Sequence, residues 1–168
     1  MDFREIKPEE LSGNVFNMIA NDWMLITAEK DGEVNTMTAS WGGLGFIWRK
    51  PVAYVFIRPQ RYTYEFVEAN DRLTLSFFGG NYRDALRICG TKSGRDCPKI
   101  AEAGLTPFAV SDGCTAFSEA SVIMECSKLY AQDLNADSVI DPSIFNEYKA
   151  GDYHRMYVVS IDRLLIKD

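Results

Sequence analysis

The sequence predicts a mainly β protein. Five to seven mostly antiparallel strands should wrap into a closed or partly open barrel, with a few short helices between them. Three observations predict this. Apolar runs of strand length recur along the chain. Turn-forming pairs such as Asp31-Gly32 separate them. Regular crossover helices do not join them, which argues against a doubly wound sheet of βαβ units.

Taken in order, residues 9–20 (EELSGNVFNMIA) suggest a short helix weakened by Gly13. Residues 23–29 and 34–41 read as the two strands of a hairpin around Asp31-Gly32. Gly42, Gly43 and Gly45 suggest a mobile or sharply bent loop. Pro51 precedes a strong strand at 52–57 (VAYVFI). Residues 62–69 form a short helix with Phe66 inward, and 73–78 (LTLSFF) form another strand. Residues 82–90 and 96–103 read as short helices around a polar loop, with Asp96 as a possible cap for the second. Residues 121–134 form a long alternating strand that carries Cys126 on an apolar face with Val122 and Met124. Residues 153–166 form a last strand, or two strands broken at Asp162-Arg163. No repeats, linkers or low-complexity segments interrupt the chain. Residues 1–168 are expected to form one domain with a core of its own.

Bulk properties exclude several function classes. The chain is 46% hydrophobic and 25% charged, as soluble proteins are. The net charge of -6 argues against nucleic-acid binding, which needs a basic face. No apolar run reaches membrane-spanning length, and the acidic, mixed start (MDFREIKPEE) is unlike a secretion signal. A cytoplasmic location without membrane contact is therefore expected. The four cysteines lack C-x-x-C spacing, so reduced buried or loop thiols are expected, although a Cys89–Cys97 redox pair is conceivable. A single histidine, His154, rules out a multi-histidine metal site within one chain, and no metal is expected. The 21 aromatic residues favour a dimer, because a small barrel leaves some of them outside its interior.

Two segments carry the chemistry. In residues 35–41 (NTMTASW), Asn35, Met37, Ala39 and Trp41 share one strand face, and Thr36, Thr38 and Ser40 share the other. The small Ala39 lets a planar ring approach the backbone, while amides and hydroxyls can bond a ring edge. An edge strand with one polar face accounts for this segment as readily. In residues 58–66 (RPQRYTYEF), Arg58 and Arg61 offer charged forks suited to phosphate, at the start of a helix with free amides. A solvated loop whose arginines pair with Glu65 or Glu68 is the other reading. Together the segments suggest a cradle for a flat ring with a phosphate tail, as in a flavin nucleotide. The loop at 92–96 could close over a ring face or receive a second ligand, and His154 could donate to the ring or meet a substrate, although from the residues alone a hydrogen-bonded histidine at a strand edge is the stronger reading.

With these segments in hand, the chain resembles the flavin-reductase-like, FMN-binding split-barrel family, and within it the flavoredoxin-like branch. The resemblance rests on NTMTASWGG (35–43), RPQRYTYEF (58–66), LSFFG (75–79), GTKSGRD (90–96) and GDYH (151–154), in family order. It implies a six-stranded antiparallel split β-barrel with short peripheral helices, a homodimer, and FMN near the dimer boundary. It also implies ring contacts from Asn35, Thr38, Ala39, Ser40 and Trp41, and phosphate contacts from Arg58, Arg61 and Thr63. Phe78 would lie beside the cofactor; Lys92 and His154 would approach the ring or its open face and are the catalytic candidates. Many members that use a nicotinamide substrate carry Gly-Asp-His, where this chain has Gly151-Asp152-Tyr153-His154.

The expected function is an FMN-dependent oxidoreductase that passes electrons from a reduced donor, NADH or NADPH, to an acceptor. The alternatives are an electron carrier that docks a redox protein, and a non-redox flavin-binding module. A Rossmann dehydrogenase is set aside, because the glycines at 43 and 45 lack the third glycine and precede a strand. A triad hydrolase lacks the G-x-S-x-G elbow.

Overall fold

The computed structural model describes residues 3–168; the first two residues of the acidic N-terminal stretch lie outside them. Strand β1 (Phe3–Ile6) is followed by a 3-10 turn at Pro8–Glu10, a single α turn α1 (Val15–Asn17) and a π turn (Met18–Asp22). The expected helix at 9–20 is thus broken, and Gly13 sits at φ 115° in the break.

The hairpin expected around Asp31-Gly32 is present as β2 (Met24–Lys30) and β3 (Glu33–Ala39). The glycine run is not a loop. It is strand β4 (Gly42–Ile47), paired with β5 (Lys50–Ile57). The reason is Tyr54, whose ring lies across β4: a Cβ on Gly45 would stand 3.0 Å from that ring, and one on Gly42 would stand 2.9 Å from the Tyr54 carbonyl. Missing side chains here make room for an aromatic one on the neighbouring strand. The two-residue turn between β4 and β5 is Trp48-Arg49, with both residues at positive φ. That is the backbone a tight hairpin demands, adopted without the usual glycine or asparagine.

Helix α2 (Tyr62–Ala69) buries Thr63, Phe66 and Val67, one stripe of its surface. After it come β6 (Arg72–Phe77), α3 (Arg83–Thr91) and α4 (Lys99–Glu102). Asp96 does not cap α4, whose cap position is Pro98. A separate hairpin follows, β7 (Pro107–Ser111) with β8 (Cys114–Phe117). The long strands β9 (Val122–Asp133) and β10 (Arg155–Lys167) complete the chain. The last strand begins two residues later than expected and runs on past Asp162-Arg163, where a register shift absorbs the irregularity.

The main sheet runs β3-β2-β6-β9-β10-β5-β4, with β1 added beside β10. Every recorded pairing is antiparallel. The six strands implied by the resemblance become eight in this sheet plus the two of the hairpin. The sheet is also open, since β3 and β4 end it without pairing to each other. One face wraps a core of Ile26, Met37, Val55, Leu75, Met124, Cys126, Tyr157 and Val159, closed by Phe66 and Val67 of α2. The other face carries a second core in which Leu25, Phe78 and Ile123 meet Leu86 and Cys89 of α3 and Phe117 of β8. The alternation of Leu25 with Ile26 assigns one residue to each. All four cysteines are free thiols, and only Cys97 is not fully buried.

Candidate functional site

Four strand ends and loops meet at one mouth of the curved sheet. The C-terminal end of β3 brings Met37, Thr38 and Ala39, and the connection to β4 brings Ser40 and Trp41. The end of β5 brings Phe56 and then Arg58; Arg61 precedes α2; His154 precedes β10. These residues line an open cleft with a volume of about 230 Å³. Because β3 is an end strand, alternate backbone amides and carbonyls along it face away from β2. The wall is fixed by Thr38, whose hydroxyl donates to the Leu86 carbonyl of α3 at 2.5 Å.

His154 is 8% exposed. Its Nδ1 lies 2.8 Å from the Tyr148 hydroxyl, and its ring centroid lies 5.1 Å from that of Trp41. Burial, and then the neighbouring Arg58, push its pKa from 6.5 to about 4, against a smaller opposing pull from Asp152. The imidazole is therefore neutral throughout the physiological range.

The two arginines differ. Arg58 is engaged: it pairs with the Asp152 carboxylate, donates to the Glu147 carbonyl at 3.0 Å, and lies over the Tyr148 ring. Gln60 also donates to Asp152, at 2.9 Å. Arg58 and Gln60 together hold the Asp152 carboxyl below its ordinary range. Neither Glu65 nor Glu68 is the partner of either arginine; they pair instead with Arg95 and Arg155. The Arg61 guanidinium has no hydrogen-bond or ion-pair partner among the described residues, and burial lowers its pKa.

Arg61 also lines a second, smaller hollow of about 170 Å³, with Gln60, Tyr62, Thr91, Lys92, Ser93 and Lys99. Lys99 is 3% exposed. Its ammonium donates to the carbonyls of Cys89 and Lys92, each at 3.2 Å, at the C-terminal end of α3. Burial, with Arg61 adding to it, brings the Lys99 pKa down to about 8. No side chain caps the N-terminal end of α2, whose first residue, Tyr62, lines the same hollow.

The structure thus brings together Thr38, Ala39, Ser40, Trp41, Arg58, Arg61 and His154. It does not bring in four other expected residues. Asn35 and Thr63 are buried and bonded to each other, Asn35 Nδ2 donating to Thr63 Oγ1 at 2.9 Å, outside the cleft lining. Phe78, just past the end of β6, is 2% exposed and belongs to the second core with Leu86 and Cys89 of α3. Lys92 lies in the Arg61 hollow, away from the ring cleft, with its ammonium donating to Glu102 at 2.5 Å. The 92–96 loop is docked against α2, where Arg95 pairs with Glu65 and covers the Tyr62 ring. Sequence reasoning missed Phe56 and Lys99. Alternation along β5 places Phe56 opposite Val55 and Ile57 of the core and was a usable signal, whereas nothing local marks Lys99 as buried.

The sequence matches the flavin reductase like domain over residues 16–166. The chain belongs to the flavin reductase-like domain family. Solved structures agree at the level of fold. An FMN-binding domain of a flavin reductases-like enzyme from Shewanella baltica matches this family member with a TM-score of 0.72 and 15% identity, over 99% of this chain and 78% of that one. The flavoredoxin of Desulfovibrio vulgaris matches with a TM-score of 0.69 and 18% identity, over 97% and 78%. An NADH:FAD oxidoreductase of Streptomyces globisporus matches with a TM-score of 0.65 and 12% identity, over 85% and 74%. No curated protein matches the chain in sequence.

Proposed function

We propose that this flavin reductase-like chain binds FMN and passes electrons from a reduced donor to an acceptor. The observation that carries the reading is Arg61, a partly buried guanidinium without a partner among the described residues that borders both the ring-sized cleft and the cationic hollow. A flat ring with an anionic tail fits that pair of spaces better than any uncharged ligand. The ring takes the cleft along Thr38, Ala39, Ser40 and Trp41, and the phosphate takes the Arg61 hollow. Arg58, already paired with Asp152, shapes the cleft wall and does not bind the phosphate.

The chemistry that bound FMN supplies is reversible two-electron transfer. The protein's part is positioning and electrostatics. The free edge of β3 offers backbone donors to the ring edge, Trp41 and Phe56 wall off water, and neutral His154 offers a hydrogen bond without adding charge. His154 is the catalytic candidate that lies in the cleft; Lys92 lies at the phosphate end.

The cleft is small for a whole flavin and open on one side. A second copy of the chain would close it, and exposed aromatics support a homodimer: Phe46 is 68% and Trp48 54% exposed, and Trp48 packs on Tyr130. No helix among the described residues is long and apolar enough to cross a membrane.

The electron donor is NADH or NADPH in the reductase form of the proposal. The alternative is an electron carrier that docks a redox protein, favoured by Tyr153, which lengthens the Gly-Asp-His pattern and stacks on Tyr148. Anaerobic protein loaded with FMN and mixed with NADH or NADPH should lose its flavin absorbance. Absorbance that survives both nucleotides but bleaches with reduced ferredoxin selects the carrier; absorbance that survives all three would sink both forms.

A further inference from the structure

His154 and the loop before it contain an arrangement that the binding of a flavin does not by itself require. Tyr148 ends a 3-10 helix (Pro142–Glu147), and the chain returns through Gly151, at φ 68°, to place His154 beside it. Tyr148 is held on three sides. Its ring stacks on Tyr153 at 4.5 Å with planes 22° apart, the Arg58 guanidinium lies 5.2 Å from its centroid, and the His154 ring meets it edge-on at 79°. Tyr148 itself is 8% exposed. Tyr153 and Arg58 thus hold a ring whose phenol oxygen lies 2.8 Å from the imidazole nitrogen.

We propose that Tyr148 is a positioning residue for His154: its hydroxyl donates to Nδ1 and so fixes the neutral imidazole with its proton on Nε2, the nitrogen left for the cleft. The direction of this bond follows from chemistry. An imidazole nitrogen is a far better acceptor than a phenol oxygen, and the Arg58 charge over the Tyr148 ring weakens that oxygen further as an acceptor. Burial raises the Tyr148 pKa, so the phenol keeps the proton it donates. Nε2 has no partner among the described residues, and His154 lines the cleft. The charged and titratable groups facing His154 are Arg58 from the end of β5 and Asp152 and Tyr148 from its own loop; Trp41 and Phe56 close the remaining sides. None of them competes for Nδ1.

The consequence, which rests on the cleft being the ring seat, is that His154 acts as a hydrogen-bond donor to an oxygen of the bound ring or of the incoming substrate. It does not act as a proton source near neutral pH. Tyr153 belongs to the same device, because its stack holds the Tyr148 ring in place.

The chain has one histidine, so every histidine signal in a nuclear magnetic resonance spectrum reports on His154. Protein labelled with 15N-histidine should show, at pH 7, a pyridine-type Nδ1 and a pyrrole-type Nε2 in one fixed tautomer. Tyr148→Phe keeps the ring, its stack on Tyr153 and its contact with Arg58, and removes only the donor. In that variant the tautomers should average and the titration midpoint should rise by about one unit, the scale of one hydrogen bond to the neutral form. A proton on Nδ1 in the unsubstituted protein overturns the proposal, and that measurement needs no variant. Identical tautomers and midpoints in the two proteins overturn it as well. The same spectra with FMN added separate the two readings. His154 signals that match the predicted tautomer but ignore FMN support the role of Tyr148 and overturn the ring seat.

Discussion

At the scale of single residues, the decisive contrast is between groups that are satisfied and groups that are not. Asn35 and Thr63 looked like ligand contacts but are buried and bonded to each other, 28 positions apart in the chain. Arg58 is neutralised by Asp152, whereas Arg61 has no such partner among the described residues. His154 gives a test at this scale. Its pKa falls from 6.5 to about 4 on folding. The unfolded chain therefore binds this proton first as the pH drops. The stability that neutral His154 represents is complete above pH 6.5 and is lost as the pH falls through 6.5 toward 4. At about 1.36 kcal/mol per unit the loss is roughly 3 kcal/mol. Urea unfolding between pH 7 and pH 4.5 should show a steeper decline for the unsubstituted protein than for His154→Gln; parallel declines would contradict the neutral, buried assignment.

At the scale of elements, what was legible depended on whether a pattern lay within one segment. The β2–β3 hairpin, β5, β6, β9 and the stripe of α2 were readable because each carries its own periodicity and its own turn signal. β4 was not, because its glycines are explained only by Tyr54 on the next strand. The turn at Trp48-Arg49 lacks the residues that normally mark it. The β7–β8 hairpin did carry a signal, Asp112-Gly113 between the short runs PFAVS and CTAF, which the sequence reading left unassigned. β1 is four residues long and gains its identity only from β10. Within the candidate site, the residues of 38–41 and 58–61 were legible, since local chemistry marks them. The bond of Asn35 to Thr63 and the burial of Lys99 were not, since both follow from packing against distant segments. Gly94 tests that packing. A Cβ there would stand 2.3 Å from Asn35 Oδ1 and 3.2 Å from the Tyr62 ring. Gly94→Ala should displace Asn35 from Thr63 and destabilise the fold by about 1–3 kcal/mol, the usual cost of overpacking. An unchanged unfolding midpoint in urea would show that the 92–96 loop is not seated on β3 as described.

At the scale of the molecule, the sheet is a device for assembling one mouth. The ends of β3 and β5, the start of α2 and the entry to β10 are far apart in sequence and adjacent in space because β10 pairs with both β9 and β5. The open edge at β4 leaves Phe46, Ile47 and Trp48 exposed, an arrangement that is costly for an isolated monomer. The chain should sediment as a dimer in analytical ultracentrifugation, and Phe46→Lys should shift it toward monomer without altering its circular dichroism; a monomeric unsubstituted protein would refute the assembly. The central claim, that this family member seats FMN with its phosphate at Arg61, is tested most directly by titrating FMN into the protein and into Arg61→Gln while following flavin fluorescence. Saturable binding by the unsubstituted protein, weakened roughly ten- to hundred-fold by the substitution, is the predicted result, as expected for losing a charged hydrogen bond. No binding, or equal affinity in the two proteins, would contradict it.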